Sequence, residues 1–469
     1  MPSFIPISNC TFEFSDQQIF AELSGDFNPI HVDPIFARRT IAGECIVHGV
    51  HGLMWAIESL LSSQTLLFDE IEAEFLKPIT LGQSVTCSLD LGVNLLILHS
   101  NEKIFTRIQF KPSKVEITKS SSFSLLPKLT QAAIRKFADC NVSANEKFGF
   151  SGNQDLVGDL FPKIAASYGL AFVCELAATS EIVGMRLPGL HSLFSSLNVK
   201  LRHNNHQPVF KVLHADERFG LLTLSVDAHS FQAEVKAFFR TPSPKAPTIK
   251  EISTKVSSHE FDGVRALVIG GSRGLGEITA KLIAAGGGKV VITYHAGKSD
   301  AMAVAQEIIE YGGSCEVAQL SAENQFTLPS SKFNQLYFFA TPKISAEDST
   351  TDGTHLYESY KKIYVNAFAY LFEQFKKSQG KKAVFYPSTS FLDNSQSNFK
   401  SYVKAKLEGE KLCDELSAKG DIPILNPRLP RLETDQTISI YKSKFPDSVD
   451  ILLPHIQAMA SITIEPNNN

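Results

Sequence analysis

Residues 20–49 read FAELSGDFNPIHVDPIFARRTIAGECIVHG. The stretch sets an acid, Asp26, five residues before an imidazole, His31, and an Asn-Pro pair fixes the turn between them. A carboxyl group and an imidazole held by a short, stiff loop can work as an acid/base pair. The apolar run that begins at Ile46 predicts a helix behind this loop, whose first N–H groups can stabilise a developing oxyanion. The stretch therefore predicts a catalytic site built around one helix.

Length and composition predict two to three domains. A chain of 469 residues is too long for one ordinary core, and 43% apolar with 20% charged residues is typical of globular proteins. The net charge of −4 gives no basic field for nucleic acid or an acidic membrane. The seven cysteines lack metal or redox spacing, and the sequence shows no signal peptide or membrane-spanning run. We expect a cytoplasmic protein without metal, membrane or nucleic-acid partners.

The second part of the chain alternates strand-like and helical patterns. Prolines among Ser, Thr and Lys predict an extended linker at 241–260. The strand-like runs that follow are VRALVIG, KVVITY, CEVAQL, QLYFFA, AVFYPS and IPILNP. The helical patterns lie near 275–286, 298–311, 353–379 and 400–418. This rhythm is typical of a parallel sheet covered by helices on both faces.

The first part contains a faded internal repeat. Residues 71–75 and 197–201 both alternate apolar and polar side chains, at an offset of 126 residues, and QSV at 83–85 is answered by QPV at 207–209. Each copy follows a long apolar helical pattern, the first at 46–61 and the second at about 163–186. Two copies of one strand–helix–sheet unit are therefore predicted.

A further echo suggests what the second copy has lost. Phe20-Ala21-Glu22 resembles Phe137-Ala138-Asp139 at an offset of 117. In that register, Asp26 corresponds to Ser143 and His31 to Phe148. The second copy is then predicted to lack the acid/base pair and to shape the substrate tunnel instead.

The opening stretch resembles the signature of the R-specific enoyl-CoA hydratases, the MaoC-like members of the hot-dog fold. The matching residues are Phe20, Ser24, Gly25, Asp26, Asn28, Pro29, Ile30, His31, Val47, His48 and Gly49. An Asx turn alone would explain the Asp-x-Asn-Pro segment but not the other matches.

This first resemblance implies a role for each site residue. Asp26 and His31 hold the water that adds to or leaves the β-carbon, and His31 is suited by its ordinary pKa of about 6.5. Asn28 orients Asp26 or the loop. The N–H of Gly49 polarises the thioester carbonyl.

A second constellation lies beyond the linker. The turn Gly270-Gly271-Ser272-Arg273-Gly274-Leu275-Gly276 follows a strand-like run and opens a helical pattern. In that context backbone N–H groups cradle a phosphate. Tyr402 and Lys406 are one helical turn apart and face the same way, so the cation would lower the pKa of the phenol.

Residues 261–469 resemble the short-chain dehydrogenase/reductase family, and most closely its 3-oxoacyl-thioester reductases. The resemblance implies that Tyr402 delivers a proton to the substrate carbonyl and that Lys406 holds the nicotinamide ribose. Asn366, within YVNAFAYLFEQ, would carry a water that relays protons. The family serine falls on Thr389, so the hydroxyl that polarises the carbonyl stays open among Ser388, Thr389 and Ser390.

The same resemblance indicates the cofactor site and where it departs from the family. The family's Asn-Asn-Ala-Gly is Phe338-Phe339-Ala340-Thr341 here, and Ser321 replaces an acidic residue, with Glu323 too far along. The second strand run ends without a carboxylate, and the nearby Arg273 and Lys298 suit a 2′-phosphate, so NADP(H) is predicted. The residues expected at the cofactor are Gly270, Ser272, Arg273, Gly274, Leu275, Gly276, Tyr294, His295, Lys298, Ala340, Pro427 and Thr434.

The sequence thus predicts a multidomain α+β and α/β protein, a double hot-dog fold followed by a Rossmann-type doubly wound parallel sheet. The expected domains are a hot-dog half at 1–125, a degenerate half at 126–240, a linker at 241–260 and a reductase domain at 261–469. The expected partner is an acyl-CoA or acyl-carrier-protein thioester, and family analogy suggests a homo-oligomer.

The expected function is NADPH-dependent reduction of a 3-oxoacyl thioester followed by dehydration of the (R)-3-hydroxyacyl product. Hydration followed by oxidation would use the same residues. The alternatives are a hydratase with a non-catalytic scaffold domain that binds nucleotide or carrier protein, and a single enzyme whose other domain aids assembly.

Overall fold

The computed structural model describes residues 4–64, 66–113, 117–120, 123–140, 145–202, 204–321, 328, 332–347, 353–393, 397–420, 422–437 and 444–464. The chain forms two compact units. Unit 1 comprises Met1–Pro242, and unit 2 begins at Ser243. Ser143 and Glu323, named above, lie outside the described residues.

Unit 1 consists of one large sheet and a set of helices. Its strands are β1 Ile5–Thr11, β2 Phe68–Phe75, β3 Ser84–Asp90, β4 Leu95–Ser100, β5 Lys103–Pro112, β6 Glu146–Lys147, β7 Ser192–Leu201, β8 Val209–Asp216, β9 Leu221–Asp227 and β10 Phe231–Phe239. Its helices are α1 Phe14–Ser24, α2 Pro29–Val32, α3 Pro34–Ala37, α4 Gly49–Ser63, α5 Val157–Leu160, α6 Pro162–Tyr168 and α7 Leu170–Glu181, and α7 continues into a π-helical turn, Ile182–Arg186.

The sheet has internal two-fold symmetry. Its antiparallel strands follow the order β1-β3-β4-β5-β2-β7-β10-β9-β8-β6. The five strands of the second half therefore repeat the arrangement of the first five in reverse order across the sheet. At the centre Glu72 of β2 pairs with Asn198 of β7. These two residues are 126 positions apart, which is the offset of the repeat, so the pseudo-two-fold axis passes between them. The predicted double hot-dog fold is confirmed.

The central helix of the first half is buried because its apolar residues recur at helical spacing. Val50, Leu53, Met54 and Ile57 follow the i, i+3, i+4, i+7 pattern and lie in the core of unit 1. Together they anchor α4 in the core. The helix starts at Gly49, next to the predicted acid/base loop.

The long helix predicted at about 163–186 is broken in two. Gly169, with a φ of +89°, separates α6 from α7, and α7 is buried from Ala171 to Glu181. In the described ranges no single helix is long and apolar enough to cross a membrane. The pair Pro162–Tyr168 and Leu170–Arg186 passes that test only jointly, with a bend of 119°.

The register of the second copy differs from the 117-residue echo. β6 occupies the place that β1 has in the first half, and Lys147 pairs with Val209 as Cys10 pairs with Val85. Phe148 therefore corresponds to a residue at the end of β1 and not to His31. The echo at Phe137 was a local similarity, because Phe137–Cys140 forms only a 3₁₀ turn where the first copy has α1.

Unit 2 alternates strands and helices along the chain. Its strands are β11 Arg265–Ile269, β12 Lys289–Tyr294, β13 Ser314–Gln319, β14 Gln335–Phe338, β15 Ala383–Phe385, β16 Ser388–Thr389, β17 Ile424–Leu425 and β18 Arg428–Leu429. Its helices are α8 Ile249–Ile252, α9 Gly274–Ala285, α10 Lys298–Glu310, α11 Gly353–Lys361, α12 Phe368–Lys376, α13 Lys400–Lys419 and α14 Ser448–Thr463, and the π-helical turn Lys362–Ala367 joins α11 to α12.

The main sheet of unit 2 is parallel and doubly wound. Its order is β13-β12-β11-β14-β15-β17, which is the 3-2-1-4-5-6 order of nucleotide-binding folds. Successive residues of β11 face two different cores, with Val268 on one side and Leu267 on the other. Because both faces are covered, the central strands β11, β14 and β15 are almost wholly buried, whereas the edge strand β13 keeps exposed polar residues. All six strand-like runs of the sequence form strands of this sheet. The Rossmann-type architecture is confirmed.

All but the first two residues of the predicted linker belong to unit 2, and its second half is packed into the core of that unit. Thr248 caps α8, and Ile249, Ile252 and Val256 are buried in the core of the unit. The ammonium group of Lys281 donates a hydrogen bond to the carbonyl of Pro247, at 3.1 Å. The prolines mark an extended segment only as far as residue 248, because the apolar residues after it have helical spacing.

A close backbone contact joins the two halves of unit 1. A side chain at Gly152 would overlap the carbonyl group of Leu23 at the end of α1. Gly152→Ala should therefore lower the free energy of unfolding by about 3 kcal/mol, as overpacking of a rigid contact does. Urea unfolding followed by the fluorescence of Trp55, the single tryptophan, measures this. Gly158→Ala is the matched control, because that position has open space; equal midpoints for the two variants would contradict the contact.

Candidate functional site

The acid/base loop of unit 1 is built from a helix stop followed by a helix start. Gly25 ends α1 with a φ of +80°, and a side chain there would overlap the hydroxyl of Ser151. Asn28 then caps α2, because its side-chain oxygen accepts a hydrogen bond from the N–H of Ile30, at 3.1 Å. Asp26 lies between these two signals, so its backbone is fixed on both sides.

The Asn28 amide fastens this loop to the second half of unit 1. Its Nδ2 donates to the carbonyl oxygens of Gly184 and Gly189, at 2.7 and 3.1 Å. Its backbone N–H donates to Oδ1 of Asp26, at 3.1 Å. Asn28 thus orients both the loop and the carboxyl group.

Asp26 is 2% exposed and carries a perturbed carboxyl group. Ser180 of α7 donates its hydroxyl to Oδ2, at 2.7 Å. Burial raises the pKa of Asp26 to about 7, and the charge of Glu181 acts in the same direction, while the hydrogen bonds from Ser180 and Asn28 oppose the rise. The carboxyl group therefore changes charge near neutral pH.

His31 is held in one tautomer. Its Nδ1 lies 2.8 Å from the carbonyl oxygen of Ile46, so Nδ1 carries the proton and Nε2 has the free lone pair. Burial lowers the pKa of His31 to about 4; the bond to Ile46 opposes this, and the charge of Arg240 adds to it. The expectation of an imidazole with its ordinary pKa was wrong, because the ring is desolvated.

The predicted acid and imidazole converge. One side-chain oxygen of Asp26 and one ring nitrogen each of His31 and His48 lie within 4.8 Å of one another. The rings of His31 and His48 stack at 3.8 Å. Both nitrogens of His48 have partners, Gln17 Oε1 at 2.9 Å and the Asp26 carbonyl at 3.0 Å. His48 therefore supports the pair from behind, and its hydrogen bonds do not suit a shared metal.

Gly49 lies at the positive end of α4. As the first residue of the helix, its N–H has no partner four residues earlier within the helix. A Cβ at this position would come within 3.3 Å of the ring of Phe75, so an alanine here would press against that ring. This N–H is suited to receive a developing negative charge on oxygen.

In unit 2 the Gly-rich turn brings backbone segments into close approach. It joins β11 to α9, and the N–H of Gly270 donates to the hydroxyl of Thr293, at 3.1 Å. A side chain at Gly276 would overlap the carbonyl of Gly270. The turn is thus a cradle of bare backbone at a helix N-terminus, which fits a phosphate group.

Tyr402 and Lys406 lie on the buried face of α13. Thr389 hydrogen-bonds the hydroxyl of Tyr402. Burial raises the pKa of Tyr402 to about 12. Ser388 lies beside Glu410 instead, and Ser390 begins a 3₁₀ turn. Of the three candidate hydroxyls, Thr389 is the one that the structure brings to Tyr402.

Lys406 is enclosed by aromatic rings. Its Nζ donates to the carbonyl of Pro387 at 2.8 Å and lies 4.1 Å from the ring centre of Tyr364. Burial lowers the pKa of Lys406 to about 7. The predicted lowering of the Tyr402 pKa by this lysine is not observed, because desolvation dominates both groups.

Asn366 does not join this group. It is exposed on the π-helical turn, whereas Tyr360 and Tyr364 face inward and pack edge-on against Tyr402. Tyr364 also hydrogen-bonds the hydroxyl of Thr341. The spacing Tyr-xxx-Tyr was the available signal, and it places two aromatic residues on the inner face.

The other predicted cofactor residues line the same end of the sheet. Arg273 forms an ion pair with Asp435, and Thr434 lies 3.8 Å from where a Cβ of Gly274 would be. Tyr294 is buried at the end of β12, while His295 and Lys298 are exposed beyond it. Ser272, Leu275, Ala340 and Pro427 follow or flank strand ends of unit 2, and Ser321 follows β13.

The structure adds residues that no motif indicated. Ser180 and Glu181 reach Asp26 from the second half of unit 1, and Gln17 holds His48. In the sequence Ser180 and Glu181 end an apolar helical run, which predicts burial but not this contact.

Two comparisons with known proteins match the N-terminal part of the chain, which contains the site around Asp26. Residues 6–93 match the family model described as MaoC like domain. An (R)-specific enoyl-CoA hydratase of Aeromonas caviae is 34% identical over 85 residues, which cover 17% of this chain and 62% of that protein. The chain therefore spans less than two thirds of the length of this curated relative.

Among solved structures the likeness is remote. The FolM alternative dihydrofolate reductase 1 of Brucella canis, complexed with NADP, is 18% identical with a TM-score of 0.33, covering 36% of this chain and 73% of that one. The oxidoreductase yciK of E. coli is 16% identical with a TM-score of 0.39, covering 44% and 91%. The fold of unit 2 is established by its own strand order.

The buried carboxyl group makes stability depend on pH. The pKa of Asp26 is about 7 in the folded chain and about 3.9 when unfolded. Its stabilising contribution is therefore present below pH 4 and is lost as the pH rises through 7. Asp26→Asn removes this titration, so the stability of the variant relative to wild type should be about 2.5 kcal/mol greater at pH 8 than at pH 5. Urea unfolding at both pH values measures it, and a pH-independent difference would contradict the burial.

Proposed function

We propose that the chain is an acyl-thioester enzyme with two active sites. Unit 2 reduces a 3-oxoacyl thioester with NADPH to the (R)-3-hydroxyacyl thioester, and unit 1 dehydrates that product to the trans-2-enoyl thioester. The observation that carries the proposal is the convergence of Asp26 and His31 beside the N-terminus of α4. The product of one unit is the substrate of the other, which supports their occurrence in one chain.

The pKa order of the pair gives the dehydration step. Between about pH 4 and 7, His31 is neutral and Asp26 holds a proton. His31 Nε2 takes the α-proton as the C–H bond breaks, and the N–H of Gly49 stabilises the resulting oxyanion. Asp26 gives its proton to the leaving hydroxyl as the C–O bond breaks, which releases water. The pair carries one proton before and after, and hydration follows the same path in reverse.

The residues of unit 2 fit a dinucleotide with a 2′-phosphate. The Gly-rich turn offers bare backbone to the pyrophosphate. The basic residues proposed for the 2′-phosphate are Arg273, which pairs with Asp435, and Lys298 at the start of α10. NADPH, when bound, supplies the hydride that reduces the carbonyl carbon. Tyr402 delivers the proton to the carbonyl oxygen, and Thr389 orients the Tyr402 hydroxyl.

A second candidate function differs only in unit 2. Asn366 is exposed, and Lys406 is engaged by the carbonyl of Pro387 within an aromatic enclosure. These observations favour a unit that binds nucleotide without turnover beside a working hydratase. The reaction of unit 1 is the same in both proposals.

Hydration of crotonyl-CoA tests unit 1. Because both members of the pair handle a proton, Asp26→Asn and His31→Ala should each lower the hydration rate by about 10²–10⁴-fold. The wild-type rate should fall below about pH 4 and above about pH 7. The loss of enoyl absorbance measures the rate. Tyr402→Phe is the control and should leave hydration unchanged; an unaffected rate in both site variants would exclude the proposed pair.

Oxidation of NADPH in the presence of acetoacetyl-CoA tests unit 2. Tyr402→Phe should abolish the reaction, because the carbonyl oxygen loses its proton donor, while Asp26→Asn should retain it. Arg273→Ala should raise the KM for NADPH by about 10-fold and leave that for NADH unchanged. NADPH binding without oxidation for wild type, seen as a thermal shift alone, would support the scaffold function instead.

A further inference from the structure

We infer that Ser180 is a positioning residue, which the second hot-dog half supplies to orient the carboxyl group of Asp26 in the first half. The inference rests on the proposed function of unit 1. It gives the second half a role in the chemistry of the site that the first half builds.

The geometry of Ser180 sets it apart from its neighbour. A hydroxyl within a helix ordinarily bonds back to a carbonyl of the preceding turn. Thr179 does so, donating to the carbonyl of Leu176 at 2.7 Å. Ser180, the next residue, donates instead to Asp26 Oδ2 at 2.7 Å, across 154 residues of sequence. Both side chains are buried, so water does not compete for this bond.

The wall around the carboxyl group is shaped for this contact. A side chain at Gly184, one turn after Ser180, would overlap Oδ1 of Asp26. The carbonyl oxygen of Gly184 also accepts a hydrogen bond from the side-chain amide of Asn28, and this bond holds the loop against the helix. Of the two carboxyl oxygens, Oδ1 receives a backbone N–H and Oδ2 receives the Ser180 hydroxyl. Ser180 thus decides which way Oδ2 points.

A hydroxyl suits this position through the whole reaction. It donates to the carboxylate and can turn to accept from the protonated acid, whereas a backbone N–H can only donate. The bond to the charged form is the stronger one, so Ser180 favours the carboxylate and opposes the effect of burial.

The other charged and titratable groups that face Asp26 are few among the described residues. Glu181 raises its pKa and is itself paired with Arg186, at 3.0 Å. His48 Nε2 lies 4.0 Å from Oδ2, and the His31 ring is within 4.8 Å. None of these groups donates the hydrogen bond that Ser180 provides to Oδ2.

Ser180→Ala tests the inference, with Thr179→Val as the matched control. Without the donor, the alkaline limb of the crotonyl-CoA hydration profile should move up by about one pH unit, and kcat/KM at the optimum should fall about 10-fold. Thr179→Val removes an equally buried hydroxyl one residue away and should change neither quantity. Ser180→Thr should restore the wild-type limb.

A second readout does not depend on activity. With ¹³C-labelled aspartate carboxyl groups, and the Asp26 signal assigned by its loss in Asp26→Asn, the titration midpoint of Asp26 should rise in Ser180→Ala and stay in place in Thr179→Val. If wild type hydrates no thioester but this shift occurs, the proposed function fails while the contact stands.

An unchanged midpoint and pH limb in Ser180→Ala, or equal shifts in both variants, would overturn the inference. If Ser180→Ala does not fold, Ser180→Cys keeps the size of the side chain with a weaker donor. Its midpoint should lie above that of wild type, and a wild-type midpoint would again overturn the inference.

Discussion

The buried carboxyl group of Asp26 is the constraint on which the structure of unit 1 depends. A carboxyl group with almost no exposure is costly unless its oxygens have hydrogen-bond partners or it keeps a proton, and here both occur. One partner comes from its own loop and one from α7 of the other half. The two hot-dog halves therefore meet at the acid itself.

This dependence gives the second half a part in the site that the first half builds. The pseudo-two-fold axis between Glu72 and Asn198 relates the strands well, but the loops above the sheet have diverged. The first half keeps the Gly-Asp-x-Asn-Pro loop. The second half keeps the helix that packs on it, with a glycine where the carboxyl group needs room.

Sequence patterns predicted the fold because buried apolar residues recur at regular spacings along the chain. The six apolar runs became the six parallel strands, and the 126-residue offset became a central strand pair. The 117-residue echo was wrong, because three residues similar to those of α1 are too few to specify a helix. Residues Phe137–Cys140 form only a 3₁₀ turn. The prolines indicated an extended segment, and the prediction from them missed the helical spacing that begins at Ile249.

The site was predictable as a set of residues but not as a set of charges. Asp26 and His31 converge as their spacing indicated, yet burial reverses their pKa order, and burial is set by contacts far along the chain. Asn366 fits a motif, but aromatic packing takes the inner face of its helix. The most direct test of the account is the structure of Asp26→Asn bound to (R)-3-hydroxybutyryl-CoA. We expect the substrate hydroxyl about 3 Å from residue 26, the α-carbon facing His31 Nε2, and the thioester oxygen at the N–H of Gly49. A substrate whose hydroxyl lies away from residue 26 and whose α-carbon lies away from His31 Nε2 would contradict the proposed mechanism.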